Sequence, residues 1–138
     1  APVVTEAPVV TETPAPTQTP VQTETPSEMT HNFTTDKKVS EDFTITGNLS
    51  TSKGTVSYDG LSLTTSLKME SATAISFTAK EDCKLTLVFN SNCNKYIVID
   101  GEEYKVNNGI LEVPLTKGSH VIKKQDSNVN LYYIKVTY

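Results

Sequence analysis

From Leu61 to Glu70 the chain alternates: Leu61, Leu63, Leu67 and Met69 occupy odd positions, while Ser62, Thr64, Ser66, Lys68 and Glu70 occupy even ones. A period of two belongs to a strand with one face against a core and the other in water, so a half-buried strand is predicted here. Similar signals recur in FTI, TVSY, AISFTA, KLTLVFN, KYIVID, ILEVPL, HVIKK and LYYIKV, short runs rich in β-branched and aromatic residues, and no run holds helical spacing. Asp59-Gly60, Asp100-Gly101, Asn108-Gly109 and Lys117-Gly118 punctuate them. Asp-Gly and Asn-Gly tolerate the positive φ angles of tight hairpin turns, so neighbouring strands are expected to be antiparallel. The predicted fold class is all-β, an antiparallel two-sheet β-sandwich of about nine or ten strands, with a jelly-roll-like variant as the close rival.

This patterning begins only near Met29. Six of the seven prolines lie before Ser27, among many threonines, loose repeats of APVVTE and no lysine or aromatic residue. Such a segment can neither complete a helix or sheet ladder nor close a core. Residues 1–28 are therefore expected to form a disordered Pro/Thr-rich linker, able to reach on the order of 80 Å when fully extended. Residues 29–138 remain for a single β-sandwich domain, long enough for one core.

The formal charge of -4 belongs to the linker, where Glu6, Glu12, Glu24 and Glu28 have no basic partner, while lysines and acids balance in the domain. A neutral domain does not announce a nucleic-acid binder. No stretch approaches the roughly 18 consecutive apolar residues of a membrane span, and the N-terminus lacks the charged and apolar regions of a signal peptide. Pro/Thr linkers commonly join the modules of secreted polysaccharide-degrading enzymes, and any flexible stalk is the plainer alternative.

Few residues invite catalytic or metal chemistry. Cys83 and Cys93 flank KLTLVFN; were that run a straight strand, they would sit roughly 25 Å or more apart, far beyond the ~7 Å Cα limit for a disulfide. His31 and His120 are separate, and an ordinary sheet-surface role is expected for His120. The acidic pairs Glu41-Asp42, Glu81-Asp82 and Glu102-Glu103 are sequence neighbours, which in a strand point to opposite faces and suit turns better than acid/base catalysis. No metal or other cofactor is expected, although Asp100 to Glu103 offers oxygens of the kind calcium takes. Asn32-Phe33-Thr34 and Asn48-Leu49-Ser50 fit the glycosylation acceptor pattern.

Lysine placement is more informative. Lys53 stands before Gly54 in a turn, Lys68 falls on the wet side of its strand, and Lys123 and Lys124 are consecutive in a late strand, so one of them faces out. Converging on one face, Lys53, Lys68 and Lys123 would make a cationic strip suited to a polymer of carboxylates, with Ser52, Thr64 and Ser66 as neighbouring hydrogen-bonding groups. One exposed ion pair contributes only ~0.2–1 kcal/mol, so several must act together. The competing reading is that scattered lysines keep a small sandwich soluble and blunt its edges. Tryptophan is absent; Tyr58, Tyr104, Tyr132 and Tyr133 are available for stacking on sugars, or for ordinary packing.

The run GNLSTSKGTVSYDGLSLTTSLKMES, followed by SFTA, LTLVFNS, IVIDGEEY, NNGILEV, KGSHVIKK and NLYYIKV, resembles the family 77 carbohydrate-binding modules attached to bacterial pectate lyases. The resemblance covers residues 30 to 138, and the NLSTSKG turn and LKME strand are its most specific parts. It implies a β-sandwich that binds pectin, as homogalacturonan of low methyl esterification, through lysines mapping to Lys53, Lys68 and Lys123, with Lys124 one register away from the last. The expected protein is a non-catalytic, extracellular, monomeric module, covalently linked to a pectin-degrading catalytic domain, with an acidic polysaccharide as partner and neither nucleic acid nor membrane. A structural or adhesive spacer domain is the alternative. A small lyase is a third reading, disfavoured by the lack of arginine and of a dense carboxylate cluster.

Overall fold

The structure, a computed structural model, describes residues 28–125 and 127–138. The expected linker lies outside the described residues, apart from Glu28. Two antiparallel sheets face each other. The first runs in the order β11 (Ile110–Leu115), β8 (Cys83–Phe89), β13 (Val129–Thr137), β6 (Ser66–Met69), β3 (Asn48–Ser50); β1 (Glu28–Asn32) takes over from β6 along the later half of β13. The second runs β10 (Glu102–Lys105), β9 (Tyr96–Ile99), β12 (Gly118–Lys124), β7 (Ala74–Ala79), β2 (Phe43–Thr46). A hairpin of β4 (Val56–Tyr58) and β5 (Leu61–Leu63) stands apart. A four-residue helix, α1 (Phe33–Asp36), follows β1 and is capped by Asn32, whose side chain accepts from the Thr34 N–H; it is too short for helical spacing to reveal it.

Leu67, Met69, Leu85, Leu87, Phe89, Leu131, Ile134 and Val136 of the first sheet meet Ile75, Phe77, Ile97, Ile99 and Ile122 of the second in one buried cluster. Each such side chain contributes ~1.5–3 kcal/mol on leaving water. A smaller cluster lies on the outer side of the first sheet, where Val56 and Leu63 of the hairpin cover Val88 and Tyr132. This second cluster explains why Thr86 to Phe89 are buried on both faces of β8. It also explains the Leu131-Tyr132-Tyr133-Ile134 sequence: the register of β13 against β8 shifts between Leu131 and Tyr133, a bulge that sends two successive tyrosines outward.

The expected single strand over 61–70 is two. It breaks at Thr64 and Thr65, whose N–H groups donate to Thr34 Oγ1 at 2.8 and 3.1 Å. Leu63 consequently enters the outer cluster, whereas Leu67 and Met69 enter the main core. Ser66, expected on the wet face, is fully buried. Of the four anticipated turns, Asp59-Gly60 and Asp100-Gly101 close hairpins with positive φ at both residues. Asn108-Gly109, with positive φ at both positions, also forms a tight turn, Asn107 and Ile110 exchanging N–H···O bonds at 3.0 Å across it, as it carries the chain from the second sheet to the first. Lys117-Gly118 likewise joins the two sheets, with positive φ at the glycine alone. Pro114 sits in β11, an edge strand, where the missing N–H is tolerated. Cys83 and Cys93 are both free; Cys83 opens an unbroken β8, and Cys93 lies in the loop four residues beyond its end at Phe89.

Candidate functional site

Lys68 lies directly opposite Asn130 of β13 and Asn48 of β3. Opposed residues share a face, and Leu67 and Met69 point into the core, so Lys68 projects from the outer face of the first sheet. Its ammonium is 4.0 Å from a Glu70 carboxylate oxygen, with the two side chains 35% and 36% exposed. An exposed pair of that length contributes ~0–1 kcal/mol, little enough for an incoming carboxylate to replace. Asn48 Nδ2 holds the other Glu70 oxygen at 3.2 Å.

Lys53 reaches the same face from the loop between β3 and β4. Asn90 Nδ2 donates to the Lys53 carbonyl at 3.0 Å and to Tyr132 Oη at 3.1 Å, and the Tyr132 hydroxyl donates to the Gly54 carbonyl at 2.9 Å. Asn130 Nδ2 donates to Asn90 Oδ1 at 3.2 Å. A line of amides thus connects the backbone under Lys53 to the residue opposite Lys68. The Lys53 side chain is exposed and has no hydrogen-bond or ion-pair partner among the described residues. Ser52 is exposed beside it, its hydroxyl 3.1 Å from that of Ser50.

The third lysine does not share this face. In β12, His120 and Ile122 are buried and Val121 and Lys123 are exposed, so Lys123 points outward from the second sheet. Lys124, half-buried, has the core-facing parity at the end of the strand. Strand alternation forces this: one sandwich cannot turn the outer faces of both sheets the same way. What Lys123 does share with Lys53 and Lys68 is the end of the sandwich, since β12 finishes at Lys124 and β13 begins at Val129 there. Thr64 is exposed but lies beside α1, its N–H on Thr34, and the buried Ser66 is removed from any exposed surface. Tyr132 is fully buried and Tyr133 is packed against Tyr58 with ring centroids 5.6 Å apart, so neither offers an open face.

Two features at this end escaped the sequence reading. One is the Asn90–Asn130 line itself, since asparagines in FNSNCN read as turn residues. The other is a cleft of about 360 Å³ lined by Asn92, Asn94, Lys95, Tyr96, Gln125 and Ser127. Tyr96 opens β9 on the outward parity and is 46% exposed, among large apolar side chains of the described residues second only to Val39. Its place before the buried Ile97 was the available signal.

His120 belongs to a separate arrangement. Its Nδ1 lies 2.6 Å from Asp100 Oδ2 and its Nε2 2.6 Å from the Thr116 carbonyl, while Asp100 Oδ1 accepts from the Val121 N–H at 2.8 Å. Burial pushes the imidazole pKa down, but these acceptors and the Asp100 charge outweigh it and leave the value above the usual histidine range. Burial likewise pushes Asp100 up, and the bonds from His120 and Val121 hold its carboxyl below the usual carboxylate range. The expected sheet-surface histidine is thus a buried one, and the Asp100 carboxylate is taken up by it. Among the described residues, no group of three or more His, Cys, Asp and Glu side chains is arranged to hold a metal ion.

An antiparallel β-sandwich with lysines, amides and an exposed tyrosine gathered at one end has the form of a non-catalytic carbohydrate-binding module. Residues 27–134 match the family described as carbohydrate binding module 77, and the chain belongs to that family. A solved structure described in connection with the Ruminococcus flavefaciens cellulosome and an expansion in glycan recognition is 46% identical, with a TM-score of 0.76, covering 80% of this chain and 93% of that one. A peptidoglycan O-acetylesterase (12% identity, TM-score 0.49, 72% of this chain and 31% of that one) and a family two carbohydrate esterase from Cellvibrio japonicus (16%, 0.46, 82% and 34%) are too distant to bear on function. No curated protein matches the chain.

Proposed function

We propose that this module binds homogalacturonan of low methyl esterification and holds an appended pectin-degrading enzyme at the plant cell wall. The observation that supports the reading concerns Lys53 and Lys68: the backbone carbonyl of Lys53 is tied through Asn90 to Asn130, the residue opposite Lys68, while the Lys53 side chain has no partner among the described residues and Lys68 is only loosely tied to Glu70. Lysine, a mobile point charge, suits a polymer whose carboxylates recur with some freedom of position. Lys123 takes part where the polymer passes round the end of the sandwich, with Lys124 beside it and Ser52 as a hydrogen-bonding neighbour. Residues 1–28 serve as the tether that raises the enzyme's local concentration on its substrate, in a secreted, monomeric module.

The test is calorimetric titration of the whole chain with unesterified polygalacturonate, in the presence of chelator, beside Lys53→Ala, Lys68→Ala and Lys123→Ala. Binding by the wild type, weakened several-fold by each substitution at unchanged melting temperature, is the expected result. Equal binding to cellulose, or none to polygalacturonate, returns the protein to the spacer reading.

A further inference from the structure

We infer that the cleft around Tyr96 is a second uronate subsite and that Lys95 bridges it to the lysine face; this rests on the polygalacturonate reading above. A smaller cleft of about 220 Å³ is lined by Asn90, Asn92, Cys93, Lys95, Asn128, Val129 and Asn130. It shares Asn92 and Lys95 with the Tyr96 cleft and shares Asn90 and Asn130 with the amides beneath Lys53 and beside Lys68. The two clefts therefore form one polar path over the end of the sandwich.

The lining has the chemistry a galacturonate unit requires. The exposed ring of Tyr96 offers an apolar surface to the C–H groups of a pyranose. The ammonium of Lys95, without a hydrogen-bond or ion-pair partner among the described residues, is placed for a carboxylate. Asn92, Gln125 and Ser127 supply hydroxyl partners, with the Gln125 amide steadied by the Glu103 carboxylate. Asn94 stiffens the floor, its Oδ1 accepting from the Asn108 N–H at 3.0 Å. The volume of about 360 Å³ falls within the range of small-ligand clefts, about 300–1,000 Å³.

The path also gives Lys123 a place. Lys123 is opposite Val98, so Tyr96 is its diagonal neighbour on the outer face of the second sheet, at roughly 7–8 Å. A polymer that leaves Lys68, crosses at Lys95 and stacks on Tyr96 meets Lys123 next. Lysines that strand parity sets on opposite faces thus serve one bound chain.

The experiment is titration of the full chain and of Lys95→Ala, Tyr96→Ala and Tyr96→Phe with unesterified polygalacturonate, alongside amide spectra recorded with an oligogalacturonate. Loss of one aromatic contact or one charge is expected to weaken binding about three- to tenfold, with Tyr96→Phe retaining the wild-type affinity. The backbone amides of Lys95, Tyr96 and Gln125 are expected to shift on titration. Wild-type binding that Lys68→Ala weakens while Lys95→Ala and Tyr96→Ala leave it unchanged overturns the subsite alone. Absence of wild-type binding overturns both readings. Weakening by Tyr96→Ala without any by Lys53→Ala or Lys68→Ala keeps the cleft and removes the lysine face.

Discussion

Asn90 lines the smaller cleft, and its amide also faces two ways beneath the lysine face: Nδ2 holds the Lys53 carbonyl and the Tyr132 hydroxyl, and Oδ1 receives Asn130. It is a positioning residue, and Asn90→Ala is expected to weaken polygalacturonate binding about as much as Lys53→Ala. In a double-mutant cycle the pair should fall short of the sum of the single changes, because both act through one side chain; full additivity in calorimetry would show that Asn90 does not act through Lys53. A different residue pair governs pH. The raised His120 pKa contributes stability that is whole below about 6.5 and is lost as pH rises through the folded value, and the lowered Asp100 pKa contributes stability present above about 3.9 and lost as pH falls through its folded value. The melting temperature of the wild type is therefore expected to decline from pH 6 into the alkaline range by an amount that His120→Gln lacks. Melting curves that decline in parallel for both proteins would dissociate the effect from this histidine. Neither Asn90 nor the Asp100–His120 contact was legible in sequence: each joins residues far apart in the chain, through side chains whose types are ordinary in turns and strands.

At the level of strands, most of the pattern was legible and its interruptions were not. Alternation located β7, β8, β9, β11, β12 and β13, and the Asp-Gly pairs located two hairpins, because period and turn chemistry are local. The break within 61–70 was hidden because Leu63 and Leu67 are both buried, in different clusters, so their hydrophobicity does not distinguish one strand from two. Lys68 was placed correctly on a wet face by the same alternation that, applied to β12, puts Lys123 on the opposite side of the molecule. Gly109 marks where two elements are fastened. Its N–H donates to the Cys93 carbonyl at 2.9 Å, its carbonyl accepts from the Phe89 N–H at 2.7 Å, and an added Cβ would stand 2.5 Å from the Asn90 carbonyl. With φ at 86° as well, Gly109→Ala is expected to cost about 1–3 kcal/mol from backbone strain alone, measured by urea unfolding. The folded fraction should also bind polygalacturonate less well, since the displaced backbone carries Asn90.

For the molecule as a whole, the proposed binding of an anionic polymer by a few exposed lysines on a neutral domain implies that affinity falls as ions screen them over about 8–10 Å. Raising salt from physiological to about 1 M, where the screening length is about 3 Å, should weaken binding markedly, and methyl-esterified pectin should bind poorly even at low salt. Affinity that stayed constant against salt and esterification alike would point to neutral sugar recognition instead. The two sheets and their common core followed from the sequence, whereas the position of the candidate site at one end depended on loops whose meeting no local pattern announces.

The strand β13 runs from that end, at Val129, to the far end, where Thr137 pairs with Glu28 of β1, a span of about 27 Å. The domain's polypeptide thus enters and leaves by its back door. A fluorescent protein fused before Glu28 or after Tyr138 of this domain would trail behind the proposed polymer path, which makes the module a natural starting point for a cytochemical stain.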